Sequence, residues 1–151
     1  MIKLPVPSSM KITKEGVEYT SNCERVNYTI QELTRAALKD VGKFLRKRMI
    51  QKVKTFRGLK KSKRGYNAFQ YWVRKKETDL IVGIKHDTWY GVQQELGDLN
   101  QPKRAILRDT TYDNIDEIMK IEGHYLSAIE EENEALALID EAEEIGNDED
   151  E

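Results

Sequence analysis

Between Ile30 and Phe56 apolar side chains recur every three or four residues: Ile30, Leu33, Ala37, Val41, Phe44, Leu45, Met49, Val53 and Phe56. That spacing places them on one face of an α-helix running from about Ile30 to Lys54. Thr29 and Glu32 stand three apart, the spacing of a capping box, in which each side chain satisfies a free backbone N–H of the other. A helix of ~25 residues is about 37 Å long, so the rest of the chain must supply enough apolar surface to cover a long stripe. The opposite face carries Arg35, Lys39, Lys43, Arg46, Lys47 and Lys54.

The covering elements are legible downstream. Tyr66–Lys75 is aromatic and β-branched and reads as a strand. Lys76-Glu77-Thr78-Asp79 reads as a turn and Leu80–Lys85 as a second strand, so the two form an antiparallel hairpin. On the first strand, Phe69 and Tyr71 share one face, and Tyr66, Ala68, Gln70 and Trp72 the other. Thr88–Leu96 fits a short helix or a strand, and Gly97–Arg104, with Gly97, Asn100 and Pro102, an extended loop. A closing helix is expected over about Thr111–Ile129 from the spacing of Ile115, Ile118, Ile121, Tyr125 and Ile129. Thr110 with Asp113, or Asp113 with Asp116, would cap it.

Upstream, residues 1–10 hold Pro5 and Pro7 and read as an extended arm; Lys11–Lys14 and Val17–Ser21 flank Glu15-Gly16 as a small hairpin. The expected class is α+β: a small antiparallel sheet, a long helix in the N-terminal half and a closing helix, with an N-terminal arm and an acidic C-terminal tail. The divisions fall at 1–27 (arm and hairpin), 28–129 (α+β domain) and 130–151 (tail). A chain of 151 residues suits one domain.

Charge is strongly polarised along the chain. Up to Arg108 there are 24 Lys+Arg against 10 Asp+Glu; after it there is 1 against 17. Fourteen basic residues and no acid lie between Lys43 and Lys76. Such a chain can bind an acidic partner at one end and a basic one at the other, or copies of itself. The segment after Glu130, with Leu136, Leu138, Ile139, Ala142 and Ile145 resuming an apolar stripe, reads as a helix that folds against another chain, or as a tail frayed by its own charge.

Motifs for catalysis are lacking. The sequence has no GxSxG, HExxH, GxxxxGK[ST] or GxGxxG. His86 and Asp87 are adjacent, which on a strand points them to opposite faces. One cysteine, Cys23, and two histidines, His86 and His124, exclude an internal disulfide and argue against a structural zinc site. No apolar run approaches the ~18 residues of a membrane span. These features favour a non-enzymatic protein with no cofactor, no metal and no membrane partner. The basic 43–76 surface, with Tyr66, Phe69, Tyr71 and Trp72 nearby, leaves one alternative: a small nucleic-acid-binding module in which cations neutralise phosphates and aromatics stack on bases.

One ordered series of steps narrows the choice: Val82-Gly83-Ile84, Tyr90-Gly91, Gln94-Glu95-Leu96-Gly97, Pro102 and Ile106-Leu107-Arg108. It resembles the small neck proteins of tailed phages, the gene-product-ten-like family of head–tail joining or tail-completion proteins. The resemblance spans about residues 29–129. It departs at the family's TG-x-L-x-x-S step, for which this chain offers only Gly58-Leu59 and Ser62.

The resemblance implies a virion protein of the neck, assembled in the host cytoplasm as a homo-oligomeric ring, sixfold or twelvefold. Such a ring would bridge a head connector and the tail terminator or tube, with genomic DNA passing through it. The contact residues expected on that basis are Arg57, Lys60, Lys61, Lys63 and Arg64 in the basic loop; Trp89, Tyr90, Glu95, Pro102 and Arg104 in the middle segment; and Glu131, Glu132 and Glu134 in the acidic segment. Glu95 is expected to cap a turn or to pair with Arg104 or Arg108.

Overall fold

A 33-residue helix, α1 (Cys23–Thr55), is the axis on which nearly everything else packs. The structure is a computed structural model and describes residues 6–56, 68–74, 77–86 and 88–147. The basic loop 57–65, Tyr66, Lys75, Lys76 and Asp87 therefore lie outside the described residues.

The helix starts seven residues before its expected beginning, and the Thr29–Glu32 capping box does not form. Thr29 lies inside the helix, its hydroxyl donating to the Arg25 carbonyl at 3.0 Å, while Glu32 pairs with Arg35. Asn22 holds the N-cap position, and its carbonyl accepts from the Val26 N–H at 3.0 Å. Extending an existing helix costs far less than nucleating one, and the added turns are tied down by an Arg25–Glu132 ion pair. The buried stripe is Leu33, Ala36, Ala37, Val41, Leu45, Met49 and Val53; Ile30, expected within it, is 39% exposed.

Among the described residues there are two antiparallel hairpins, and they form two separate two-stranded sheets. β1 (Met10–Lys14) and β2 (Val17–Ser21) turn through Glu15 and Gly16, both at positive φ (52° and 81°), as a tight two-residue hairpin requires. β3 (Phe69–Arg74) and β4 (Asp79–Ile84) pair with Phe69 opposite Ile84, Tyr71 opposite Val82 and Val73 opposite Leu80 on the inner face. This sheet lies on the C-terminal half of α1 at Gly42. A β-carbon there would meet the Tyr71 ring at 2.4 Å and Leu80 at 3.1 Å, so only glycine permits so close an approach.

The closing region differs from expectation. Instead of one helix over 111–129 there are two, α3 (Ile106–Asp113) and α4 (Ile115–Ser127), followed by a single 3₁₀ turn (Ala128–Glu130). Asn114 makes the break. Its side-chain amide donates to the Thr110 carbonyl at 2.7 Å, and its own carbonyl accepts from the Ile118 N–H at 3.0 Å. None of the side-chain caps proposed at Thr110, Asp113 or Asp116 is present, and Asp113 pairs with Lys52 at 3.1 Å. Ile118, Ile121 and Tyr125 turn inward as expected; Ile115 and Ile129 do not, at 43% and 42% exposed.

The acidic segment forms α5 (Glu132–Asn147), packed on its own α1. Ala135, Ile139 and Ala142 join Leu33, Ala36, Ala37 and Tyr125 in one cluster of the core. The second cluster gathers Val41, Leu45, Met49, Val53, Phe69 and Ile106 under the β3–β4 sheet. Small residues at 36, 37, 135 and 142 let the two helices approach closely. The stripe expected to seek another chain is therefore used within this one.

Candidate interaction surfaces

The middle segment is an irregular stretch braced by several backbone and side-chain contacts. α2 (Trp89–Leu96) ends at Gly97, whose φ of +83° favours glycine; a β-carbon there would also meet the Lys103 backbone N at 2.9 Å. The chain returns through a bridge between Asp98 and Gln101, with N–H···O distances of 2.9 and 3.1 Å, and the Arg104 N–H donates to the Gln94 carbonyl at 2.9 Å. Ala105 adopts a left-handed conformation (φ 43°, ψ 45°) and α3 begins. The carboxylate of Glu95 accepts from the Leu107 N–H at 2.8 Å and the Arg108 N–H at 3.1 Å. An anion thus sits on free backbone donors at the positive end of a helix dipole. Of the roles expected for Glu95, capping is the one the geometry adopts.

Near its start, α2 presses on the inner hairpin. At Gly91 a β-carbon would meet Ile84 Cγ2 at 2.7 Å, which gives the Tyr90-Gly91 step a packing reason. Gly83 is different: nothing lies within 4 Å of its would-be β-carbon. Beside it the outer face of the sheet presents Trp72, 66% exposed, opposite Ile81, 43% exposed. Arg74 pairs with Asp79 and Glu77 at the end of that face. Its guanidinium holds the Asp79 carboxyl below the usual carboxylate range, chiefly through their hydrogen bond.

The anticipated contact residues divide into three groups. Arg57, Lys60, Lys61, Lys63 and Arg64 lie outside the described residues. Trp89 is the first residue of α2, Tyr90 is half-buried against the second core cluster, and the Arg104 guanidinium stacks 4.7 Å over the Phe56 ring. Tyr90, Arg104 and Glu95 thus brace the α2–α3 joint from inside, whereas Pro102 is exposed at its tip beside the fully exposed Leu99. Glu131 and Glu134 are exposed, and Glu132 pairs with Arg25. That last contact places the start of the acidic helix near the beginning of α1, about 45 Å along the helix axis from Thr55, where the described basic stretch nears its end.

Part of the basic face of α1 is consumed by packing. The Lys43 ammonium nitrogen is buried, Arg46 Nε donates to the Phe69 carbonyl at 3.3 Å, and the Arg48 guanidinium stacks 5.1 Å from the Phe44 ring centre. Lys47, Arg48 and Lys54 are the exposed cations toward its C-terminal end.

Sequence reasoning missed two exposed apolar faces. Met10, Ile12, Val17 and Tyr19 lie on one side of the β1–β2 hairpin and are 50–69% exposed. On α4, Ile115, Met119 and Leu126 form an outward row, 43–65% exposed. The strict alternation of the first and the i, i+4, i+11 spacing of the second were legible signals, but only coordinates separate a buried face from a bare one.

Tyr125, 6% exposed, donates its hydroxyl hydrogen to the Asp40 carboxylate. Burial, that hydrogen bond and the nearby charges of Asp40 and Glu141 raise the phenol well above its ordinary range. Among the described residues, no cluster of His, Cys, Asp or Glu could hold a metal ion, and no helix is long and apolar enough to cross a membrane. Comparison with protein-family models, with curated proteins and with solved structures finds no match.

Proposed function

We propose that this chain is a structural subunit of the phage neck, forming a ring at the head–tail junction that joins the head connector to the tail. The observation that carries the proposal is the braced α2–α3 joint. The residues that resemble the neck family, Tyr90-Gly91, Glu95, Gly97 and the start of α3 at Ile106, are those with packing or capping reasons to be there. Polarised charge supports assembly, since an acidic α4–α5 flank and a basic α1 end on one chain suit head-to-tail contacts between copies. The ring's sixfold or twelvefold order, its neighbours in the connector, terminator or tube, and its location in the virion neck follow from the resemblance alone.

Reversing charge at Lys60, Lys61, Lys63 and Arg64 is expected to abolish incorporation into particles while leaving the helical circular-dichroism signal unchanged. A normal yield of infectious particles from that variant would end the proposal.

The exposed Trp72 favours a second reading, a nucleic-acid-binding surface in which its indole stacks on a base while cations of the basic 43–76 stretch neutralise phosphates. That surface would bind DNA with an affinity falling steeply as salt rises, and Trp72→Ala would weaken it. A gel-shift titration at two salt concentrations separates the two readings.

A further inference from the structure

The β1–β2 hairpin stands apart from the rest of the chain. Every residue of β1 and β2 except Ser21 is exposed. A two-stranded hairpin is marginal by itself in water, and this one keeps an apolar side made of two facing pairs and their neighbours: Ile12 opposite Tyr19, Lys14 opposite Val17, with Met10 at the open end. Its other side, Lys11, Thr13, Glu18 and Thr20, is wholly polar. Such alternation is the pattern of a strand pair with one face covered.

A complementary surface exists on the same chain. Ile115, Met119, Glu122 and Leu126 occupy one outward row of α4, while Ile118, Ile121 and Tyr125 hold the inward one. The row is about 17 Å long from Ile115 to Leu126; the hairpin face is about 14 Å from Met10 to Lys14. Each apolar row contains one charge, and the two are of opposite sign: Lys14 on the hairpin and Glu122 on α4. Neither has an ion-pair partner among the described residues. Asp116, Glu117 and Glu122 give the α4 surface an acidic margin, with Lys120 and Arg48 acting on Glu117.

We infer that the hairpin of one copy docks on the outward row of α4 of a second copy, with Lys14 against Glu122. This deepens the proposed ring by naming a donor and an acceptor for its subunit contact, and it rests on that proposal. The contact is heterologous, because hairpin and helix row are different surfaces, and repetition of it closes into a ring or runs on as a filament. Each face offers only three or four exposed apolar side chains, far fewer than the roughly 20–30 residues a side of a standard interface. A single contact is correspondingly weak, and closure of a ring, in which every copy gives one hairpin and receives one, makes it persist.

The test uses two full-length variants. Ile12→Asp with Tyr19→Asp spoils the donor, and Met119→Asp with Leu126→Asp spoils the acceptor. All four positions are at least half exposed, so each variant is expected to keep the helical spectrum of the parent. Mass is read by analytical ultracentrifugation. The parent is expected to assemble, and each variant alone to fall to the single-chain 17.6 kDa. At concentrations well above those at which the parent assembles, the equimolar mixture is expected to give a species of twice that mass, since one intact donor meets one intact acceptor and the chain then stops.

An assembling hairpin variant would overturn the inference and leave the ring proposal standing on another contact. A mixture still monomeric at the highest concentration measured would show that the hairpin and the α4 row do not meet, and would overturn it too. A parent that is monomeric at every concentration, with a hairpin folded on its own α4 or on a different protein, would also overturn it. The neck proposal fails by a separate observation, absence of the protein from assembled particles, which a mixed dimer would not rescue.

Discussion

Replacing Glu95 by alanine removes the one side chain among the described residues that accepts from the first free N–H groups of α3. The two bonds, at 2.8 and 3.1 Å, run from backbone amides to a partly buried carboxylate. Loss of an N-cap acceptor costs about 0.5–2 kcal/mol, and loss of an anion at the positive helix end about 0.3–1 kcal/mol more. Ala105 adds to the demand, because it is held left-handed just before α3, a conformation that costs an L-residue about 1–2 kcal/mol. Against this, the Arg104–Gln94 backbone bond and the Asp98–Gln101 bridge still brace the joint. A net loss of about 1–2.5 kcal/mol follows. For a domain of this size that is a fall in Tm of roughly 2–10 °C. Urea titration followed at 222 nm measures it. Glu95→Gln, which keeps an acceptor oxygen and loses the charge, is expected to fall between the two. Amide exchange at Leu107 and Arg108 should quicken more than exchange in the middle of α1. An alanine variant within 0.3 kcal/mol of the parent, or unchanged exchange at those two amides, would refute the capping argument.

Gly42→Ala gains about 1 kcal/mol of helix propensity and meets the Tyr71 ring at 2.4 Å. Overpacking of about 1–3 kcal/mol should prevail, and a more stable variant by urea titration would contradict it. Ile139→Ala, at a position 5% exposed, should cost about 2–5 kcal/mol; a loss under 1 kcal/mol would mean that α5 is not docked on α1. Tyr125 keeps its proton in the folded chain at pH values where an unfolded tyrosine loses it, so it contributes stability below pH ~10 that declines as pH rises further. Tyr125→Phe should therefore be about 1–3 kcal/mol less stable at neutral pH, having stranded Asp40. It should also lose stability less steeply above pH 10, and an unchanged alkaline slope would count against the assignment.

Much of the architecture was readable because long periodic signals dominate it. Most of the α1 stripe, the Glu15-Gly16 turn and the shared face of Phe69 and Tyr71 follow from spacing alone; which of the strand's faces turns inward does not. The Gln94-Glu95-Leu96-Gly97 step marks Glu95 as a capping or pairing acid. The errors have local causes. Thr29 and Glu32 mimic a capping box, yet a helix already propagating from Asn22 leaves them in its interior. Asn114 reads as an ordinary helical residue until its amide is seen to take the Thr110 carbonyl. The acidic segment was judged by its charge, while its small apolar residues, Ala135 and Ala142, decided where it packs. That placement also bears on removing the acidic segment from the nucleic-acid surface. Deleting residues after Glu130 would bare Leu33, Ala36 and Ala37, so neutralising Glu131 and Glu134 at the surface is the appropriate perturbation.

The most direct measurement of the central claim is the mass of the purified full-length chain by light scattering on a sizing column, at low and at moderate salt. Head-to-tail assembly through oppositely charged surfaces predicts a species several times 17.6 kDa at low salt that shrinks as salt rises. A single 17.6 kDa species at both salts would contradict it.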